Sequence, residues 1–396
     1  LSSRSQFLTK CGSKYMQRNS NRSLVVAMLG AITIPATSYA GGITYKDGDK
    51  YLKVGGRIQL QYYQSKPDGG ETTDDLFFRR LRPFIEGSLH KDWKAKIQFD
   101  LGKAEGENEV AIKDAYFQYK GWKGMKLNIG NANFPFSREF LTSSKKQQLV
   151  ERTFVGDHNY GTPDRNTGLH LVGKTGNKKI SWGASTTVAT IDPDNDKLDF
   201  DTPVNRNDDF NEGFMAGGRV DWHPFGYLKF SQGDFKRETK ATIGVAAFTW
   251  SNDDDVNSYT PGCTGKCDVD SVTGIEISGA FRAAGFSIDA QYNSFDSETV
   301  EAGITDGIYV NGKTTLTNAA IEGGYMFGDT IELVAGYQTQ DADGYATSWN
   351  RTSVGANWFI NKHDTKVQLT YRMGESLDGV ENNDEDEVFL QTQFVF

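Results

Sequence analysis

The main part of this 396-residue chain lacks a long hydrophobic run. A membrane-spanning helix needs about 20 consecutive apolar residues, and no stretch after the first 40 residues approaches that length. This absence excludes a bundle of membrane-spanning helices. It does not exclude a transmembrane β-barrel, because half of each barrel strand faces a polar interior and keeps the mean hydropathy low, at −0.55 here.

Helical periodicity is also missing after the first 40 residues, and strict alternation of apolar and polar residues takes its place. In "WKAKIQFDL" (93–101), Trp93, Ile97 and Phe99 share one parity, and Lys94 and Lys96 share the other. The segments "YLKVGGRIQLQYY" (51–63) and "KVQLTYRM" (366–373) alternate in the same way. A period of two is typical of strands with two unlike faces, so the sequence predicts an all-β protein.

The alternation continues to the last residue, in "EVFLQTQFVF" (387–396). Phe394 and Phe396 stay on the apolar parity, which indicates that the neighbour of this face is lipid rather than water. We therefore expect the final strand to close a barrel. A terminal Phe is also a familiar feature of bacterial outer-membrane proteins, where the barrel-assembly machinery reads it.

Short and long connections alternate along the chain. Short ones such as 90–92, 176–178 and 361–364 separate long ones, of which 131–163 is the longest. Outer-membrane barrels have this asymmetry. If both ends of the chain lie on the short-turn side, the strand count is even, and treating 226–235 as part of a connection gives 16 strands. The prediction is a closed transmembrane antiparallel β-barrel of about 16 strands, wide enough to leave an aqueous channel.

Cysteine and histidine are both scarce, at three and five residues. Cys263 and Cys267 lie close together in "PGCTGKCD", which favours a disulfide, with a metal site as the weaker alternative because no His is nearby. No G-x-S-x-G motif occurs, and three of the five histidines fall at predicted short turns. The sequence therefore gives no support for a hydrolase, and we expect no enzyme activity, no catalytic residue, no cofactor and no metal.

Residues 1–40 differ in kind from the rest of the chain. They carry five basic residues and no acidic ones, followed by the apolar stretch "LVVAMLGAITIP" (24–35) and the small residues "SYA" (38–40). This is typical of a secretory signal peptide. We expect residues 41–396 to form the barrel domain, whose formal charge would be −14, the whole-chain value of −9 minus five positive charges.

The sign of the charge depends on location. The strand parity places an excess of basic residues on the predicted barrel interior: Arg57, Arg80, Arg82, Lys94, Lys96, Lys126, Arg219, Arg282, Arg351 and Arg372. Acidic residues gather in the long connections instead, at 191–211, 251–270 and 375–387. Such clusters either hold divalent cations that bridge lipopolysaccharide phosphates or form a solvated external face.

The long connection 131–163 mixes aromatic residues with Arg138, Lys145, Lys146 and Arg152. Because this loop carries its own apolar residues, we expect it to fold inward against the wall and to narrow the pore. Basic side chains at a constriction select anions through their local field and hydrogen bonds.

Five stretches resemble the phosphate-selective porin O and P family: "LFFRRLRPFIEGSLHKDWKAKIQFDL" (76–101), "IKDAYFQYKG" (112–121), "LNIGNANFPFSREFLTSS…ERTF" (127–154), "PDRNTGLHL" (163–171) and "SVGANWFINKH" (353–363). The resemblance implies a trimeric outer-membrane channel of 16 strands whose constriction loop and basic wall pass anions. It further implies that the anion path is lined by Arg80, Arg82, Arg138, Lys145, Arg152 and Arg165, to which the composition of the long loop adds Lys146. Arg138 stands where the family pattern has Leu, and Lys145 where it has Arg, so the basic character is kept.

The expected function is passive diffusion of phosphate or other small anionic solutes across the outer membrane of a Gram-negative bacterium. The expected partners are outer-membrane lipid, lipopolysaccharide and two further copies of the chain, with no nucleic acid. The acidic loops leave an alternative open. They would make the channel a general, weakly cation-preferring porin that also acts as a surface receptor.

Overall fold

The computed structural model describes residues 42–102, 110–191, 196–200, 204, 213–252 and 268–396. The predicted signal peptide lies outside these residues, and so do Cys263 and Cys267. Large parts of the acidic connections 191–211 and 251–270 also lie outside them. Among the described residues, no helix is long and apolar enough to cross a membrane.

The described chain forms one antiparallel sheet of 19 strands, which confirms the all-β prediction. The strands are β1 (Ile43–Asp47), β2 (Lys50–Gly55), β3 (Arg57–Pro67), β4 (Thr73–Leu81), β5 (Phe84–His90), β6 (Trp93–Asp100), β7 (Ala111–Tyr119), β8 (Met125–Asn133), β9 (Arg165–Lys174), β10 (Ile180–Val188), β11 (Phe214–Trp222), β12 (Lys240–Ser251), β13 (Val269–Ala283), β14 (Phe286–Thr299), β15 (Lys313–Phe327), β16 (Ile331–Asp341), β17 (Trp349–Asn361), β18 (Thr365–Glu375) and β19 (Glu385–Val395). Within the described ranges, helical structure is confined to one turn, α1 (Arg138–Leu141), and three 3-10 turns at Ser144–Lys146, Phe154–Gly156 and Leu377–Gly379.

From β5 to β19 each strand pairs with the next one along the chain, and β19 also pairs with β3. Strands β2 and β3 follow one line, interrupted at Gly56, and they pair with β5 and β4 respectively. Strands β4 and β5 are likewise separated only by Arg82 and Pro83. Because proline has no N–H to donate, the ladder is interrupted there.

The bulge in this region lies elsewhere than the sequence suggested. Because a proline cannot donate to the ladder, Pro83 is where the sequence places a bulge, but the register shifts between Gln59 and Leu60, which pair with Arg80 and Phe78. Arg79 is therefore the extra residue. An extra residue re-aims side chains, and the side chains of both Arg79 and Arg80 reach Glu151.

The two faces of the sheet have opposite character. On β12, Ile243 and Val245 are exposed, whereas Phe248 is buried beneath the long loop 134–164 and Trp250 is buried against Phe200. We call the covered side the loop face and the other side the exposed face. On β19, Phe394 and Phe396 lie on the exposed face and Phe389 on the loop face, as the alternation predicted.

The aromatic residues at strand ends divide between the two faces. Aromatic residues at strand ends are typical of the interfacial belts of membrane barrels, and the side chains of Trp93, Trp222 and Trp358 are exposed as that interpretation of the sequence requires. Trp250 and Trp349 do not fit this interpretation. Both are only 4% exposed and pack on the loop face, because the loops there supply apolar surface for them.

The lengths of the connections agree with the predicted alternation, except that one connection on the short-turn side, residues 223–239, is long. Residues 223–239 contain no strand, so 226–235 is a connection as expected. This segment does not remain at the edge of the sheet, however. Gln232 donates its backbone N–H to the Lys146 carbonyl, at 3.0 Å, and accepts from the N–H of Gln148, at 2.6 Å. A second segment therefore packs against the long loop.

We expect Gly161→Ala to destabilise the protein more than Gly303→Ala. Both glycines have φ of +88°, so the backbone penalty is shared, but a Cβ at Gly161 would lie 2.6 Å from the Phe295 ring. A Cβ at Gly303 would meet nothing within 4 Å. Overpacking costs about 1–3 kcal/mol. Urea-unfolding midpoints in detergent or lipid measure the difference, and equal midpoints would show that the loop yields at no cost.

Candidate functional site: the loop face and its charges

The long connection between β8 and β9 crosses the loop face of the sheet. Its one helical turn begins after Ser137, whose hydroxyl accepts from the N–H of Phe140 at 3.3 Å. Backbone N–H groups of the loop then donate to wall side chains on successive strands. Arg138 bonds to Glu276 on β13 at 3.0 Å, and Phe154 bonds to Gln338 on β16 at 2.8 Å. Side chains on the loop face of the sheet, which we call the wall, thus accept hydrogen bonds from the loop backbone.

One part of the loop face is apolar. Phe134 and Phe136 of the loop are fully buried against Phe248 on β12 and Phe295 on β14, with ring centroids 5.0–6.1 Å apart. Leu198, from the connection after β10, belongs to the same cluster. Apolar side chains that face one another in this way exclude water, so this part of the loop face is filled with protein.

Buried ion pairs fasten the loop beside this cluster. The Arg138 guanidinium lies 3.0 Å from Asp289, which also bonds Arg282. Arg219 lies 2.7 Å from both Asp221 and Glu276. All six side chains are at least 97% buried. Three residues expected to attract permeating anions, Arg138, Arg219 and Arg282, therefore hold carboxylates of the protein.

Four of the residues predicted for the anion path surround a different part of the loop face. Arg82, Lys145, Arg152 and Arg165 line one cavity of about 350 Å³. The side chains of Lys53, Arg57 and Lys96 complete a set of seven cations there, against the two carboxylates of Glu86 and Asp114. Arg80 and Lys146 lie outside this cavity lining, and we call the cavity the basic cavity.

Several cations of the basic cavity are partly compensated. Arg82 pairs with Asp100 at 2.5 Å, and Arg165 pairs with Asp114 at 2.7 Å and Asp164 at 3.0 Å. Arg57 differs, since its contact is with the Ser143 hydroxyl at 3.2 Å. Among the residues that the structure describes, Arg57, Lys145 and Arg152 form no ion pair, so their charge is available to a solute.

The other predicted wall residues all lie on the loop face. Lys94 pairs with Glu86 at 2.7 Å, and Arg372 pairs with Glu387. Arg351 is held over aromatic rings, 4.2 Å from Trp349 and 4.4 Å from Phe154. Lys96 bonds Asp114, whereas Lys126 lines a second cavity without an ion pair to any described residue.

Sequence reasoning missed the acidic residues of the loop. Glu151 lies 2.7 Å from Arg79 and 4.0 Å from Arg80, so it neutralises part of the basic wall. Its pKa is lowered to about 2, although burial acts in the opposite direction, because both guanidinium groups stabilise the carboxylate. An acid inside a predominantly basic, aromatic loop was the available sign.

Glu139 is a buried loop carboxylate in the opposite situation. Burial raises its pKa to about 7, against the hydrogen bonds that it accepts from the Thr153 N–H and hydroxyl. Arg152 attracts its negative charge, whereas Asp157 and, across the interface with β15, Glu322 repel it. Burial also lowers the pKa of Lys145 and of Lys146.

The sheet, with its exposed apolar face and its loop-covered polar face, has the architecture of a porin, and solved structures agree. The outer-membrane channel DcaP of Acinetobacter baumannii is similar, with a TM-score of 0.59 and 13% identity, covering 90% of this chain and 100% of DcaP. The anion-selective porin from Comamonas acidovorans has a TM-score of 0.58 and 11% identity, covering 88% of this chain and 100% of that chain. At these identities the likeness concerns the fold alone.

Residues 52–225 match the model of the family described as phosphate-selective porin O and P. This match confirms the resemblance drawn from the sequence. Residues 52–225 include every charged residue that lines the basic cavity and the whole of loop 134–164. Porin O of Pseudomonas aeruginosa is 31% identical over 150 residues, which make up 32% of this chain and 34% of Porin O. An uncharacterized protein of Aquifex aeolicus is 31% identical over 128 residues, 26% of this chain and 30% of that protein. The chain thus aligns with about a third of the length of these curated relatives.

We expect Glu139→Gln to remove part of the pH dependence of stability. Because the folded-state pKa of Glu139 is raised from its ordinary value of 4.5 to about 7, ionisation costs stability as the pH rises through that window. The wild type should therefore lose stability between about pH 4.5 and 7. The variant should be more stable than the wild type at pH 8 and differ little at pH 4.

Thermal midpoints in detergent at a series of pH values measure this effect. The matched control is Glu298→Gln, which removes a carboxylate on the exposed side of β14. If the curves of wild type and Glu139→Gln run parallel from pH 4 to 8, the buried carboxylate does not ionise in this range.

Proposed function

We propose that this chain is a porin of the Gram-negative outer membrane that forms a water-filled, anion-preferring diffusion channel. The single observation that carries the proposal is the basic cavity, in which seven cationic side chains face two carboxylates. It lies between the long loop and the wall, within the segment that matches the porin family. A local excess of positive charge in a low-dielectric setting concentrates anions.

The pairings support a barrel of 16 spanning strands. β2 and β3 count as one spanning strand, and β4 and β5 as another. Strands β6 to β19 supply fourteen more, and β19 returns to β3. β1 pairs with β2 beyond the end of β19, where the Gly56 N–H donates to the Phe396 carbonyl at 2.9 Å. In this proposal the loop face is the lumen, and the exposed face, with its aliphatic side chains, meets lipid.

The proposed constriction is formed by loop 134–164. Its Ser143 hydroxyl lies 3.2 Å from Arg57 on the opposite wall, so the loop and β3 approach each other closely at that point. Solutes then pass Lys145, Arg152 and the partly compensated Arg82 and Arg165. Arg80 and Lys146 contribute to the field from outside the cavity lining, and Arg138 acts by holding the loop.

The remaining parts of the proposal rest on the family and on the sequence. They are a signal peptide at residues 1–40, a disulfide between Cys263 and Cys267, a homotrimer, contacts with lipid and lipopolysaccharide, and assembly through the terminal Phe396. A solved relative of the same fold, OmpT of Vibrio cholerae, is described in a trimer form, which supports the oligomer. Its TM-score is 0.54.

The acidic loops support a second candidate, a general porin with weak cation preference that serves as a surface receptor. Asp196, Asp378 and Glu381 line a cavity of about 520 Å³ at the long-loop end. Exposed charges act over a Debye length of about 8 Å at physiological salt, so they can repel anions at the mouth. The two candidates differ in the sign of the ion selectivity.

The zero-current potential of the purified protein in a planar bilayer under a KCl gradient tests the proposal. We expect a potential set mainly by chloride, with added phosphate reducing the current. Arg57→Gln should shift the potential toward that of potassium, because it removes a cation without an ion pair. Glu151→Gln should shift it further toward chloride, because it frees Arg79 and Arg80.

Lys66→Gln, at the exposed end of β3, is the matched control and should leave the potential near the wild-type value. A wild-type potential set by potassium would favour the second candidate. Shifts of the same sign in Arg57→Gln and Glu151→Gln would show that the basic cavity is not on the ion path.

A further inference from the structure

A cavity of about 970 Å³ lies at the short-turn end of the loop face. Residues of β6 to β11 form one side of it. Pro135 and Leu141 of the long loop, together with Tyr227 and Phe230 of segment 223–239, form the other. We call it the vestibule cavity. Its volume is several times that of a small inorganic anion and lies in the range of cavities that hold organic ligands.

The free charge in the vestibule cavity is positive. Both lining carboxylates are engaged: Asp114 bonds Lys96 and Arg165, and Asp221 bonds Arg219 at 2.7 Å. Five lining lysines form no ion pair to any residue in the described ranges: Lys120, Lys123, Lys126, Lys174 and Lys178. A negatively charged ligand is therefore favoured over a cation or a zwitterion.

The walls between these lysines are apolar and aromatic. The Lys174 ammonium lies 3.7 Å from the centroid of the Tyr227 ring, a cation–π contact that holds a charge and a ring side by side. Phe230 lies beneath the guanidinium groups of Arg138 and Arg219, at 5.5 and 5.9 Å. Apolar walls next to a charge favour a ligand that has an apolar body and one anionic group.

The donors present also discriminate between ligands. Phosphate is bound best by arginine forks, which offer two parallel hydrogen bonds. The one arginine lining the vestibule cavity, Arg219, is already occupied by Asp221 and Glu276. Lysine ammonium groups, which act as point charges, are left for the ligand. A carboxylate on a ring matches this arrangement better than a fully hydrated phosphate does.

We propose that the vestibule cavity binds organic anions that combine a single carboxylate with an aromatic or similarly apolar body. The inference rests on the proposed channel function, because such a site at one end of the lumen would serve solutes that pass through it. Lys126 and Lys174 hold the carboxylate, and Tyr227 and Phe230 contact the ring.

Titration calorimetry on the purified protein in detergent tests this site without requiring conduction. The probes are benzoate, acetate and inorganic phosphate at equal ionic strength. We expect benzoate to bind at least tenfold more tightly than acetate, which carries the same group without the ring, and more tightly than phosphate. Tyr227→Leu, which keeps apolar volume but removes the ring, should weaken benzoate binding about fivefold. Lys126→Gln should weaken it by a similar factor.

Lys362→Gln, in the short turn between β17 and β18, is the matched control and should bind benzoate as the wild type does. Equal affinities for benzoate and acetate, or tighter binding of phosphate, would overturn the proposal, as would full benzoate affinity in Tyr227→Leu. The bilayer potential in KCl is a separate readout. Loss of anion preference there, with benzoate binding intact, would overturn the proposed channel selectivity and not this site.

Discussion

The arrangement of the loop face depends on the pairing of buried charges between the long loop and the wall. The guanidinium of Arg138 forms an ion pair with Asp289 on the wall. Its backbone N–H donates to Glu276, which also forms an ion pair with Arg219. A buried charge without a partner is strongly destabilising, so each member requires the others. This network fixes where the loop crosses the sheet, and the positions of the cavities follow from it.

The same network divides the cations of the wall into two groups. On β11, β13 and β14 the charges of Arg219, Arg282, Asp221 and Asp289 are neutralised among themselves and lie beside an apolar cluster. On β3 to β9 the cations exceed the carboxylates, and these strands line the basic cavity and much of the vestibule cavity. The channel we propose is therefore displaced toward one side of the barrel, and its selectivity depends on fewer residues than the number of basic side chains suggests.

Two segments cooperate in shaping this path. The long loop enters from one end of the sheet, and residues 223–239 enter from the other. They meet where Gln232 bonds the backbone at Lys146 and Gln148. His363, packed against Phe235 and bonded to the Gln232 carbonyl at 2.9 Å, supports the second segment from β17 and β18. A loop held from two directions keeps a fixed pore shape, which solute discrimination requires.

By itself the sequence determined the all-β class, the two faces of each strand and the alternation of short and long connections. These features are local, because strand geometry sends successive side chains to opposite faces whatever the neighbouring strand is. The inward parity of Arg57, Lys94 and Arg372 and the outward parity of Phe394 followed from it. The family resemblance added the long loop and the basic segment that contains it.

Only the tertiary structure decided which of those cations are free. The pairing of Arg138 with Asp289, or of Arg79 with Glu151, joins residues far apart in sequence, and periodicity carries no information about such contacts. The bulge at Arg79, the inward turn of residues 223–239 and the burial of Trp250 and Trp349 were beyond reach for the same reason. Each depends on which distant segment packs against the wall. The electrostatic field in the proposed channel depends on all of these contacts together.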